Sequence, residues 1–131
     1  MEKIIIRIEA EINPTEAESK IREAIEKMFG PMDTQIKSQP KGELILGETS
    51  NQDALTRFHN LLQREHIRAA ARTVLLQGVN RNAVSFCLNK QVAYAGHVSF
   101  SQEHSESPLG PIRVEIKSEN PREIVEYLTH M

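Results

Sequence analysis

The chain has 131 residues, the size of one domain, and its 39% hydrophobic and 26% charged residues are ordinary for a soluble globular fold. A single cysteine excludes a disulfide framework and a multi-thiolate metal site, and no apolar run approaches the roughly 20 residues that span a bilayer. We therefore expect one cytoplasmic domain over residues 1–131, with no membrane segment and no cofactor.

The first thirty residues predict a strand followed by a helix. Apolar and polar side chains alternate along Ile4–Ile12, a period of two that is typical of a half-buried strand rather than of a signal peptide. The tetrapeptide Asn13-Pro14-Thr15-Glu16 has the composition of a helix start, with Asn as the cap and Glu at the capping-box position. Apolar residues then recur at helical spacing as far as Met28, and Gly30-Pro31 ends the helix.

The next segment predicts a β-hairpin and then helical structure. Residues 32–38 and 43–48 flank a Pro-Lys-Gly turn and are predicted to pair. A polar start at Thr49 leads into an amphipathic helix that reaches about residue 65. The breaker-free run Ile67–Leu76 predicts a second helix or a bent continuation of the first.

The last fifty residues predict mainly strands. Asn89-Lys90 is predicted to be the two-residue turn of a hairpin between Ala83–Leu88 and Gln91–Ala95, with Gly96 marking a bend. A polar loop over 102–107 and a rigid turn over 108–111 are expected before the next strand.

The strand Ile112–Lys117 and a helix that starts at Asn120-Pro121 complete the chain. The predicted order is β-α-β-β-α-α-β-β-β-α, which lacks the strict alternation of a doubly wound sheet. It favours an α+β fold whose helices pack on one face of a mostly antiparallel sheet.

The charge is unevenly distributed along the chain. Residues 1–53 carry a net charge of −4, residues 54–102 carry +5, and residues 103–131 carry −3. A basic middle between acidic flanks favours a surface that faces a polyanion, although chance clustering on a solvated face is an equal alternative. The basic residues of the middle segment are Arg57, Arg64, Arg68, Arg72, Arg81 and Lys90.

Four of these arginines would share one face of an unbroken helix. At about 100° per residue, Arg64 and Arg68 fall within about 20° of Arg57, and Arg72 within about 60°. The guanidinium group suits bidentate phosphate contact, and Glu65 is the single acid between residues 54 and 102. This arginine strip is the predicted nucleic-acid site, on condition that no break near His66 scatters it.

The sequence gives little support to a metal site or to a catalytic function. There is no glycine-rich phosphate loop, and the five histidines have no compact set of partner ligands for a metal. Cys87 is predicted to be a small core hydrophobe, and no hydrolase motif surrounds a serine. Tyr94 is the one aromatic residue predicted to be able to stack on a base. No residue receives a catalytic assignment.

Two segments carry a family resemblance: Phe86–Gly96, which reads FCLNKQVAYAG, and Ser107–Ile116, which reads SPLGPIRVEI. Together they resemble a small uncharacterised archaeal family that pairs an L-N-K-Q-x-A hairpin with a later P-L-G-P-I turn. The resemblance covers essentially the whole chain. It implies a fold similar to that of ribosomal protein L5, and a role as an RNA-binding protein or exosome-associated subunit.

Three hypotheses follow. The first is a non-enzymatic RNA-binding module that contacts the phosphate backbone through the six basic residues and works within an RNA-processing complex. The second is an assembly module, a homodimer or complex subunit, that uses the Ala-rich helix Ile67–Leu76. The third is an enzyme for small phosphorylated substrates, for which His59 and His66 are the candidate acid or base.

Overall fold

Six strands form one antiparallel sheet with the spatial order β2-β3-β1-β6-β4-β5. The structure is a computed structural model and describes residues 3–40, 42–101 and 110–130. Its elements along the chain are β1 (Ile5–Ile12), α1 (Glu18–Phe29), β2 (Asp33–Gln39), β3 (Gly42–Thr49), α2 (Gln52–Arg64), α3 (Arg68–Gln77), β4 (Ala83–Leu88), α4 (Lys90–Tyr94), β5 (Phe100–Ser101), β6 (Ile112–Lys117) and α5 (Pro121–Thr129).

The core lies between one face of this sheet and the helices. Alternate residues of β1, β4 and β6 face the helices and join the apolar sides of α1, α2, α3 and α5 in one buried cluster. Three phenylalanine rings cross the cluster. Phe58 of α2 stacks between Phe29 of α1 and Phe86 of β4, with centroids 5.0 Å and 5.5 Å away. The predicted α+β class, with helices on one face of an antiparallel sheet, is confirmed.

The first helix begins later than predicted. Glu16 accepts hydrogen bonds from the backbone N–H and the side-chain amide of Asn13, at 3.1 Å and 2.7 Å. These bonds close a polar turn ahead of the helix, whose first residue is Glu18 and whose N-cap is Ala17. The capping-box pairing of Asn13 with Glu16 forms, but it stabilises the turn that leads into α1.

The middle helical segment consists of two helices. α2 ends at Arg64 and α3 begins at Arg68, and between them His66 adopts a φ of 57°. A left-handed residue that is not glycine ends the helical hydrogen-bond ladder and redirects the chain. The alternative of two separate helices is therefore the correct one.

The predicted hairpin at Asn89-Lys90 is wrong. The side chain of Asn89 accepts a hydrogen bond from the backbone N–H of Val92 at 3.0 Å and so caps the short helix α4. Gly96, with a φ of 88°, follows this helix, and among the described residues β4 pairs with Phe100–Ser101 on one side and with β6 on the other. The loop predicted over 102–107, and the first part of the turn over 108–111, lie outside the described residues.

Candidate nucleic-acid interface

The break at His66 divides the predicted arginine strip into two pairs. Arg57 and Arg64 are on α2, whereas Arg68 and Arg72 are on α3 and face α5. One continuous row of four guanidinium groups, which the sequence predicts for an unbroken helix, does not form.

The α3 pair is used within the fold. The guanidinium of Arg68 donates to the carbonyl oxygen of His130 at 3.0 Å, which places a cation at the carboxyl end of α5. Arg72 forms an ion pair with Glu126 and contacts the Thr129 hydroxyl at 3.4 Å. The hydrogen bond from Arg72 lowers the pKa of the Glu126 carboxyl, so the charge of Arg72 is compensated locally.

Lys90 has a structural position that the sequence did not reveal. It is 5% exposed, and its ammonium donates to the Glu11 carbonyl oxygen at 2.8 Å and to Glu16 Oε1 at 3.0 Å. The prediction placed Lys90 on a hairpin tip, free to meet a phosphate. Its burial and its ion pair with Glu16 mean that it has no such freedom. Arg81 lies apart, in an exposed bend between α3 and β4.

Arg64 of α2 lies near the end of α4, which carries an exposed aromatic ring. Tyr94, at the end of α4, is 38% exposed, and two lysines of α1 approach its ring. The ammonium of Lys27 is 4.8 Å from the ring centroid and that of Lys20 is 5.8 Å from it. Lys27 also donates to the carbonyl oxygen of Tyr94 at 2.6 Å, which fixes α1 against α4. We call Lys20, Lys27, Arg57, Arg64 and Tyr94 the Tyr94 seam.

Backbone features hold the two arginines of the Tyr94 seam. Arg64 Nη2 donates to the carbonyl oxygen of Gly96 at 3.2 Å, two residues beyond Tyr94. Arg57 lies over Gly30, just past the end of α1, where an added Cβ would be 2.7 Å from Arg57 Nε. Gly30 has a φ of 85°, so glycine both adopts the backbone turn and leaves room for the guanidinium.

Two carboxylates bring negative charge to this surface. Glu23 lies 3.8 Å from the Lys27 ammonium, and Glu65 lies 3.0 Å from Nδ1 of His97. The hydrogen bonds that Glu65 makes with His97 and with the backbone N–H of Val98 lower the pKa of its carboxyl, against the effect of desolvation. With four cations against two carboxylates, the Tyr94 seam is a locally basic surface on an acidic protein.

Lys20 and Lys27 were missed by sequence reasoning, although a signal was present. They are seven residues apart and therefore share one face of α1. Their proximity to Tyr94 depends on how α1 packs on α4, which no local pattern in the sequence indicates.

The sheet face that points away from the helices differs in charge from the Tyr94 seam. It forms the floor of a concavity of about 1500 Å³. Arg7 pairs with Glu48 at 3.1 Å and Arg113 pairs with Glu9 at 3.7 Å, so both arginines are compensated. Asp33 and Glu115 line the same concavity, which leaves this face net acidic.

Within residues 3–40, 42–101 and 110–130, no three His, Cys, Asp or Glu side chains are grouped as a metal would require, and no helix has the length and apolar character to span a membrane. His59 stacks on Tyr127 with centroids 4.9 Å apart, and His66 lies beyond the end of α2. The two candidate acid–base histidines therefore do not share one helix face.

The comparisons with known proteins agree with one another. A family model described as RNA binding matches residues 5–118. A UPF0201 protein from Sulfurisphaera tokodaii is 36% identical over 98% of this chain and 88% of the relative, and one from Aeropyrum pernix is 35% identical over 96% and 85%. The crystal structure of a UPF0201 protein from Methanococcus jannaschii gives a TM-score of 0.85 at 29% identity, covering 95% of this chain and 98% of that one.

Proposed function

Because the chain belongs to the archaeal UPF0201 family, whose model is described as RNA binding, we propose that it binds RNA through the cations of the Tyr94 seam. The family assignment confirms the archaeal resemblance. The likeness to ribosomal protein L5 and a place in an RNA-processing complex stay predictions, and the role proposed is binding without catalysis.

The observation that carries the proposal is how Arg57 and Arg64 are held. Arg64 is anchored by the backbone carbonyl of Gly96, and Arg57 packs over Gly30, so neither guanidinium is neutralised by the contact that positions it. Glu65 attracts Arg64 electrostatically, but neither of these two guanidinium groups is positioned by a carboxylate, and a preorganised guanidinium of this kind suits a phosphate oxygen. By contrast, Arg7, Arg72 and Arg113 each face a glutamate.

The acidic sheet face supports the same location for RNA. A phosphate backbone that entered the concavity would meet Asp33 and Glu115, while the two arginines that line it are paired with Glu48 and Glu9, and like charges repel. Binding through the helical face avoids that cost.

The test is a fluorescence-anisotropy titration of a labelled single-stranded oligoribonucleotide over a range of salt concentrations. With four phosphate contacts, the logarithm of the affinity should fall against the logarithm of salt concentration with a slope of about −3. Replacing Arg57→Gln together with Arg64→Gln should weaken binding by about ten-fold or more and reduce the slope by about 1.4.

The matched control is Arg7→Gln with Arg113→Gln, which removes the same charge from the sheet face. This variant should bind as the unaltered protein does. Absence of RNA binding by the unaltered protein would overturn the proposal, and so would equal losses in the two double variants.

Part of the helix that suggested the assembly alternative packs within the chain itself. Ala71 and Leu75 of α3 are fully buried in the core of the same chain, where α3 packs against α5 and β4. A homodimer or a protein complex stays a prediction, to be checked by light scattering against the monomer mass of 14.9 kDa.

A further inference from the structure

We infer that the Tyr94 seam takes single-stranded RNA, with one base stacked on the Tyr94 ring and the adjoining phosphates on its cations. The inference rests on the proposed function and specifies which form of RNA the site recognises.

The exposure of Tyr94 is the first observation. Lys90 and Ala93 turn the inner side of α4 into the protein and leave Tyr94 on the outer side. Among the other aromatic side chains, Phe29, Phe58 and Phe86 are buried in the core. Phe100 and Tyr127 are partly buried and pack against it. Among the described residues, Tyr94 is the large hydrophobic side chain that is exposed to solvent.

The charge around the ring is the second observation. The ammonium groups of Lys27 and Lys20 lie 4.8 Å and 5.8 Å from its centroid, and Arg64 is anchored on Gly96 two residues further along the chain. Both ammonium groups lie over the ring, so a base would stack on the part of the ring that they leave exposed while its phosphates contact the cations. This combination of an aromatic surface and cations matches a nucleotide, which joins a planar base to an anionic phosphate. An aromatic platform beside cations is the usual means of binding single strands with little sequence preference.

The preference for single-stranded RNA follows from which surfaces of RNA the Tyr94 ring can reach. In a duplex the base faces are stacked on their neighbours, and an external tyrosine reaches only phosphates, sugars and groove edges. In a single strand, a loop or an end, a base can leave the stack and lie against an aromatic ring. A site whose exposed centre is a tyrosine ring therefore gains more from a single strand than from a duplex.

The experiment compares a probe that has bases with one that has none. The first probe is a fluorescein-labelled oligouridine, and the second is end-labelled inorganic polyphosphate. Tyr94→Ala should weaken oligouridine binding by about 5-fold to 150-fold, and Tyr94→Leu should weaken it too, because leucine has no aromatic face. Tyr94→Phe should keep the affinity, and polyphosphate binding should change less than about two-fold in all three variants.

The possible outcomes distinguish the base-stacking inference from the proposal of RNA binding on which it rests. If the unaltered protein binds neither probe, both fail. If Arg57→Gln with Arg64→Gln weakens both probes while Tyr94→Ala leaves oligouridine binding unchanged, the base-stacking inference fails and RNA binding stands. If Tyr94→Ala weakens polyphosphate as much as oligouridine, the ring acts only by positioning the lysines, and the inference is overturned. Circular dichroism of each variant confirms that its fold is intact.

Discussion

At the scale of single residues, the contacts of Lys90 could not be predicted from the sequence. Its partners, Glu11 and Glu16, are 79 and 74 residues away along the chain, so no local pattern indicates them. Glu16 was recognised as a capping-box residue, and its bond to Asn13 forms. Its bond to Lys90 exists only because α4 packs against α1. The same packing decides the position of Tyr94, whose exposure the sequence could not establish.

The buried ion pair predicts a large loss of stability when one partner is removed. Lys90→Met leaves the carboxylate of Glu16, whose side chain is 12% exposed, without its counter-ion. The free energy of unfolding should fall by about 3 kcal/mol, as measured by urea denaturation. Adding Glu16→Gln to this variant should recover part of the loss, because the isolated charge is then gone.

The exposed pair of Arg7 and Glu48 provides the control. Its side chains are 50% and 57% exposed, so Arg7→Met should lower the free energy of unfolding by less than about 1 kcal/mol. Equal losses in Lys90→Met and Arg7→Met would show that the burial of the Lys90 pair is without energetic consequence.

At the scale of elements, the long periodic segments could be predicted and the short ones could not. β1, α1, α2 and β6 have enough turns or alternations for the period of 3.6 or 2 to be distinguished. The five residues of α4 complete little more than one turn, and Asn is as common at a helix N-cap as in a tight turn. The strand assignment there failed for that reason.

The α3–β4 connection predicts a backbone clash when Gly78 is replaced. The Ser85 N–H donates to the Gly78 carbonyl oxygen at 2.9 Å, and a Cβ added at Gly78 would lie 1.8 Å from the Ser85 carbonyl oxygen. Gly78 has an ordinary φ of −91°, so the obstacle is steric. Gly78→Ala should lower the free energy of unfolding by about 1–3 kcal/mol or more, measured as a shift of the urea midpoint.

Gly47→Ala is the comparison for this substitution. There the new Cβ would meet Met32 Sδ at 2.8 Å, the far end of a flexible side chain that can rotate away. A smaller loss is expected than in Gly78→Ala, and the reverse order would contradict the steric explanation.

At the scale of the whole molecule, charge differs between the helical and sheet faces as well as along the sequence. The basic middle segment predicted a basic surface, and the Tyr94 seam draws two of its four cations from that segment and two from α1. Arg72 and Lys90 are compensated by acids of the flanking segments, Glu126 and Glu16. Counting charges along the chain therefore predicted two of the four cations of the Tyr94 seam, while tertiary pairing decides which charges stay available.

Two carboxylates that link distant elements of the fold predict that the protein is less stable in acid. Glu65 links the end of α2 to the segment that follows α4, and Glu126 links α5 to Arg72 of α3. Both carboxyls have a pKa below the ordinary value of 4.5, so each stabilises the fold above that pH and loses its contribution as the pH falls through the folded-state pKa. The free energy of unfolding should therefore decrease as the pH falls below 4.5.

Glu65→Gln isolates one of these contributions. The variant should be less stable than the unaltered protein at about pH 7, and the difference should shrink as the pH falls through the folded-state pKa of Glu65, where this carboxyl becomes protonated. Urea denaturation at several pH values measures this difference. A difference that stays constant with pH would mean that the Glu65 charge does not stabilise the fold.

The two outermost strands of the sheet have a consequence for how copies of the protein meet. β2 and β5 lie at its ends, and the outer backbone groups of an end strand can pair with a strand of another molecule. Of these two, β2 combines Asp33 and Lys37 with one apolar residue, Ile36. Charged side chains make an end strand a poor template for the addition of further strands. We therefore expect the β2 end of the sheet to resist strand-by-strand aggregation, even in a crowded solution.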